Sequence, residues 1–414
     1  MDQQRLKSRV IDLVGVSSVT GNEQEAVDLV VSWLRPVADT VDSWVTPMDE
    51  LEADADYPGR EVERSDVPVA AARIKGDTPG PTIVLTGHVD TVPVGDVGKW
   101  MRDPGGEIEG DMLFGRGAAD MKAGMVAAIE AFTQIAESGR SFPGELVLVA
   151  VPGEEDGGTG TLAAIRRGWV GDYVVVVEPT AAEGDPEIVV SHGGALTFTI
   201  DVEGRTAHAA VRREGVSALD GFYTVYEALR KIETELNDAE TDERMVALGL
   251  PYPTTVGIVR GGEWASNVLG DITADIRVGV TIHETVPEAA ERFESTLRDA
   301  IAGDPWLDEH PPTITLTGAR FGSSSIDVNH RLVATVSDAV EAATGIKPAR
   351  VGAPYGCDMA LWTRVGGAAT LVYGPGEVKW AHADDEHVSL SQTAQVAEIL
   401  VDVVGRLQAS SEEA

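Results

Sequence analysis

Cysteine is nearly absent from this chain: Cys357 is the one example in 414 residues. An intramolecular disulfide is therefore excluded, and the composition fits a reducing cytoplasm. Lysine is scarce too, with seven residues, and acidic side chains outnumber basic ones 68 to 32, a net charge of −36. A field of that sign makes nucleic acid, heparin and anionic membrane surfaces poor partners. No apolar run approaches the roughly 18 residues of a membrane span. The opening residues, MDQQRLKSRVIDLVGV, lack a signal peptide's apolar centre and cleavage site. Internal repeats and low-complexity tracts are missing.

What the chain does contain is enough apolar material, 43% of residues, to bury a core in two or three domains. Its acidic residues are spread through every segment rather than gathered into one docking patch. Such a surface stays hydrated in concentrated brine, so a halophilic source is expected. Thermal stability should then rise toward molar salt, and a melting temperature indifferent to salt would contradict this. The densest acidic stretch, MDELEADADYPGREVERSD at 48–66, reads as a solvated loop and lacks EF-hand ligand spacing.

Residues 22–35 carry amphipathic helical spacing that stops at Pro36. Three short apolar runs follow, Thr82–Thr86, Glu145–Val151 and Tyr173–Val177, each the length of a buried parallel strand. The alanine-rich stretch Asp120–Ser138 between the first two predicts a crossover helix. Near residue 195 the period changes. Leu196, Phe198, Ile200 and Val202 alternate with Thr197, Thr199, Asp201 and Glu203, the pattern of a strand with one wet face. A helix at 217–236, strands at 254–260 and 271–280, a helix near 286–302 and a strand at 313–318 complete a ferredoxin-like order. The expected fold is α/β, a mostly parallel sheet with helices on both faces, interrupted by a smaller α+β domain. The expected boundaries are 1–192, 193–305 and 306–414.

Each buried strand ends in residues that suit a metal. The first runs into His88 and Asp90, the second into Glu154 and Glu155, the third into Glu178. Ligands gather at the carboxyl ends of strands in open α/β sheets, and Asp120 in GRGAADMKAG can join them. So many carboxylates in one crevice would repel each other unless cations lay among them. Imidazole with carboxylate suits zinc, with cobalt or manganese as substitutes. The set exceeds four ligands, which points to two ions sharing a carboxylate.

The motifs GHVDTVPVGD, DMLFGRGAADMKAG, VPGEEDGGTGT, VVVVEPT and GPGEVKWAHADDEHV, taken in order, resemble one family. It is that of acetylornithine deacetylase, succinyl-diaminopimelate desuccinylase, aminoacylase-1 and the glutamate-releasing carboxypeptidases, which are co-catalytic zinc amidohydrolases. The resemblance spans the chain and implies a lid and dimerisation role for the inserted domain. It implies that His88 and Glu178 hold one zinc, Glu155 and His382 the other, and that Asp120 bridges both. Asp90 would orient His88, and Glu154 would be the general base. His208 in GRTAHAA would reach across a homodimer to stabilise the oxyanion, with Asn267 and Arg277 binding the substrate carboxylate or the oxyanion. The run AAVRREGVSAL after His208 departs from the family's serine and proline. Cys357 reads as a packing residue, and His192 and His387 as structural or solvent-facing.

The expected activity is hydrolysis of the amide of an N-acyl amino acid, with acetylornithine deacetylation first. An acidic protein tolerates a cationic side chain better than a dianionic succinyl group, although salt screens that preference beyond about 8 Å. Desuccinylation is the alternative, then dipeptidase or carboxypeptidase action. A non-catalytic binding homologue would be separated from an enzyme by its metal content.

Overall fold

The computed structural model describes residues 2–139 and 141–409. It divides into two compact units, 2–190 with 325–351 and 357–409, and 191–324 with 352–356. No helix among the described residues is long and apolar enough to cross a membrane.

The first unit is built on a sheet whose strands lie in the order Thr40–Pro47, Asp66–Lys75, Pro143–Val151, Thr78–His88, Tyr173–Val176, Ala369–Val372, Glu187–His192. Its middle pairings are parallel and its flanking ones antiparallel. The three valine-rich runs occupy adjacent central positions, buried on both faces, which is why they are continuously apolar rather than alternating. Register then decides where the site lies. His88 pairs with Val151 and Thr86 with Val176, so the carboxyl ends of all three strands finish side by side. Neighbouring strands are about 4.8 Å apart, close enough for residues beyond those ends to meet.

Two features differ from expectation. The antiparallel pair Thr40–Pro47 and Asp66–Lys75 is not evident in sequence, because the first is an exposed edge and VAAA in the second carries helix-forming alanines. The crossover helix spans Ala123–Glu137, so Asp120 precedes it in non-helical backbone, and the Asp120–Met121 peptide is cis. Gly124 lets that helix approach closely: a Cβ there would stand 1.9 Å from the carbonyl oxygen of Val177.

The second unit has a four-stranded antiparallel sheet in the order Thr255–Arg260, Asp271–Val280, Gly194–Glu203, Thr313–Phe321, the ferredoxin-like arrangement. Leu196, Phe198, Ile200, Val202, Ile272 and Ile276 form one core with helices Ala218–Asp238 and Val286–Ile301. Thr197, Thr199, Asp201 and Arg277 take the other face, as the alternation requires. The expected boundary at 305 is corrected to 324, because Thr313–Phe321 pairs with Gly194–Glu203 and belongs to this sheet.

Candidate metal centre

The centre lies wholly within the first unit. His88 ends its strand almost fully buried, with Nδ1 2.9 Å from the carbonyl oxygen of Asp90. Its Nε2 faces inward, 3.1 Å from Asp120 Oδ1 and 3.5 Å from Glu178 Oε1. His382 Nε2 lies 3.1 Å from Glu155 Oε1 and 3.4 Å from Asp120 Oδ2. The two oxygens of Asp120 therefore face one histidine each. Two sets of donor atoms, His88–Asp120–Glu155 and His88–Glu154–Glu178, each fit within 4.8 Å. Geometry alone admits Glu154 as a donor, yet its Oε2 is 4.0 Å from His88 Nε2, farther than Asp120 or Glu178.

His382 arrives by a route that sequence does not reveal. Strand His387–Ser389 pairs antiparallel with Met112–Phe114, His387 opposite Phe114, which sets the 382–386 turn beside the 115–120 loop. His382 itself has φ +62, a left-handed conformation that costs a side chain of this size about 1–3 kcal/mol. His387 packs between Phe114 and Trp380 in tilted ring contacts, and its Nδ1 lies 2.6 Å from the carbonyl oxygen of Asp385.

Electrostatics mark the cluster as one charge-sharing unit. Burial, aided by the Asp120 carboxylate, pushes Glu178 up to about 8. Burial likewise holds Glu154 well above the ordinary carboxylate range, with Glu178, Asp358 and Glu155 adding repulsion. Hydrogen bonds to Asp120 and Glu155 raise His382 to about 10. Burial works to lower His88, but Glu178, Asp120 and Asp90 outweigh it and raise it. Protons thus offset the buried negative charge, and divalent cations coordinated by the same atoms would displace them. The donor set of two imidazoles and several carboxylates fits two borderline cations.

Two buried carboxylates act on backbone rather than on the cluster's interior. Asp90 accepts hydrogen bonds from the amides of Glu154 and Glu155 at 3.2 Å each and from the Thr20 hydroxyl. Its Oδ1 is 3.5 Å from His88 Nδ1, so it holds the glutamate loop at least as directly as the histidine. Glu386 accepts from the amides of Ala119 and Asp120 at 3.0 Å and from Arg116 at 2.7 Å. Arg116 also donates to the carbonyl of His382 at 3.4 Å. The hydrogen bonds that tie Glu386 to the Asp120 loop span 266 residues and leave no local signal in the sequence. Glu386→Gln is expected to lower metal affinity or turnover about 10- to 100-fold, measured by chelator competition and steady-state kinetics.

The second unit holds the remaining expected residues. His208 and Asn267 are exposed and face each other in an isolated backbone bridge. His208 Nδ1 accepts from the amide of Ala210 at 3.1 Å, which leaves the ring proton of the neutral imidazole on Nε2. Arg277 lies on strand Asp271–Val280, on the face opposite the core of that unit. His192 is buried, with Nδ1 2.9 Å from the carbonyl of Gly193, and Cys357 is a buried free thiol.

Residues 84–406 match the model of Peptidase family M20/M25/M40. The chain is 27% identical to an N-formyl-4-amino-5-aminomethyl-2-methylpyrimidine deformylase from Bacillus subtilis, over 88% of each chain. It is 31% identical to a succinyl-diaminopimelate desuccinylase from Methylobacterium radiotolerans, over 81% of each. In structure it is similar to an M20 family metallo-carboxypeptidase from Sulfolobus solfataricus, with a TM-score of 0.77 at 16% identity, covering 99% of this chain and 100% of that one. The family resemblance carried by the five motifs therefore holds, and the chain is a hydrolytic enzyme belonging to peptidase family M20/M25/M40.

Proposed function

We propose that the protein is a two-metal amidohydrolase that cleaves the amide of an N-acyl amino acid, with the acyl group leaving as a carboxylic acid. The observation that carries this reading is Asp120, whose two oxygens each face a different histidine. His88 and Glu178 would hold one divalent cation, Glu155 and His382 the other, and Asp120 would bridge them. Zinc suits these donors, with cobalt or manganese as substitutes. When bound, the pair would polarise the substrate carbonyl and acidify water.

The side chains would supply the rest. Glu154 removes a proton from the attacking water onto its carboxylate and passes it to the departing nitrogen. Asp90 keeps Glu154 and Glu155 aimed by holding their amides. His208, with its proton on Nε2, donates to the developing oxyanion. Asn267 and Arg277 would bind the substrate carboxylate or the oxyanion. In a homodimer, His208 and Asn267 of one copy would complete the site of the other. The exposed edge strand Thr255–Arg260, with Ile258 and Val259 uncovered, supports such an association. Ultracentrifugation should then give a dimer that Ile258→Asp disrupts, with loss of turnover.

Acetylornithine is the first substrate expected, for its cationic side chain. A second reading, deformylation of an aminomethylpyrimidine, is favoured by the relative matched over 88% of both chains. The test is a panel of N-acetyl, N-succinyl and N-formyl amino acids, dipeptides and the N-formyl pyrimidine, with zinc or cobalt, in low and molar salt. Turnover of acetylornithine abolished by chelator is the expected result. Turnover confined to the pyrimidine would establish the second reading, and no amide cleavage would refute both.

A further inference from the structure

The acidic stretch at 48–66 exposes its acidic side chains, Asp54 apart, as its composition suggests, yet its backbone meets a buried carboxylate. Asp156, the residue after Glu155, is almost fully buried and turns its carboxylate toward this segment. Its Oδ1 accepts hydrogen bonds from the backbone amides of Glu61 and of Val62, the latter at 3.0 Å. Arg64 enters the same wall and pairs with Glu23 at 2.7 Å, both side chains buried, while Glu23 accepts from the amide of Gly21. Gly153 opens the glutamate loop at φ +72, and a Cβ there would lie 2.7 Å from Thr159 Oγ1 and 2.8 Å from Arg64 Nη1. The glutamate loop is thus gripped on two sides. Asp90 holds the amides of Glu154 and Glu155, and Asp156 holds the 61–62 backbone.

We propose that Asp156 is a positioning residue, which ties the 61–62 segment to the glutamate loop and thereby sets the direction of Glu154 and Glu155. The physical reason is the cost of its place. Hydrogen bonds offset the desolvation of a buried carboxylate, and here both donors meet Oδ1 and belong to a distant segment, while Oδ2 is buried without a protein partner among the described residues. Because the tie leaves from the residue adjoining Glu155, releasing it frees the loop to rotate where displacement matters most. A misplacement of about 1 Å costs up to 10²-fold in rate. The role rests on the two-metal reading above, and the experiment separates the two.

The probes are Asp156→Ala, Asp156→Asn and Val62→Pro in the full chain, with zinc binding measured by chelator competition and kinetics on the best substrate of the panel. Asp156→Ala should weaken one zinc about 10- to 100-fold and lower kcat by a similar factor, with KM nearly unchanged. Asp156→Asn keeps an oxygen acceptor and should recover most of the loss. Val62→Pro removes one donor and should reproduce part of the loss, with the double variant no worse than Asp156→Ala. Zinc affinity and kcat within about twofold of wild type in Asp156→Ala, or losses that add in the double variant, would overturn the proposal. Hydrogen exchange reads the tie without metal or substrate: the amides of Glu61 and Val62 should be protected in wild type and released in Asp156→Ala. Unprotected amides in wild type would also overturn it. A wild-type chain that binds no zinc yet keeps those amides protected would defeat the metal-centre reading and leave the tie standing.

Discussion

Glu154→Gln is expected to lower turnover about 10²- to 10⁴-fold while both cations stay bound. Glutamine matches glutamate in shape and keeps an oxygen acceptor, so the loop held by Asp90 should not move. It cannot take up a proton at neutral pH, and the step that hands a proton to the leaving nitrogen is lost. Glu154 lies farther from His88 than Asp120 or Glu178 do, which is why removing its charge should spare the metal. The measurement is single-turnover rate beside metal content of the same sample. Normal turnover would show that another group is the base, and lost metal would show that Glu154 is a ligand.

Asp120→Asn is expected to cost at least one of the two cations and about 10³-fold or more in activity, near 4 kcal/mol of barrier. An aspartate facing His88 with one oxygen and His382 with the other can serve two ions at once. Asparagine offers one oxygen and one donor nitrogen, and the nitrogen faces one of those ions with the wrong polarity. Metal analysis after dialysis, with and without added zinc, checks the stoichiometry. Two tightly held cations in this variant would remove Asp120 from the bridging position. The contrast between the variants is diagnostic: the first leaves a loaded, slow protein and the second an under-loaded one.

Much of this centre was legible in the chain before any fold was known. The valine-rich runs ending in His88, Glu154 and Glu178 identify themselves as buried strands, because only strands covered on both faces are apolar without alternation. Leu196 through Glu203 announce a one-faced sheet by strict alternation, and that face packs as expected. Local chemistry carries these signals, since period and residue type act within a few neighbours. The strand Asp66–Lys75 carries no such local signal: its alanines have no strand preference of their own, and pairing on both sides imposes the conformation.

Other features were settled by tertiary structure alone. The register His88 opposite Val151 aligns the strand ends, and the pairing of His387 with Phe114 delivers His382 to Asp120. Glu386 and Asp156 are each buried against backbone amides far away in the chain, which no local pattern shows. Residue types determine which groups can bind a cation or a proton. Which of them meet depends on hydrogen-bond register and burial between distant segments, and those are properties of the folded chain as a whole.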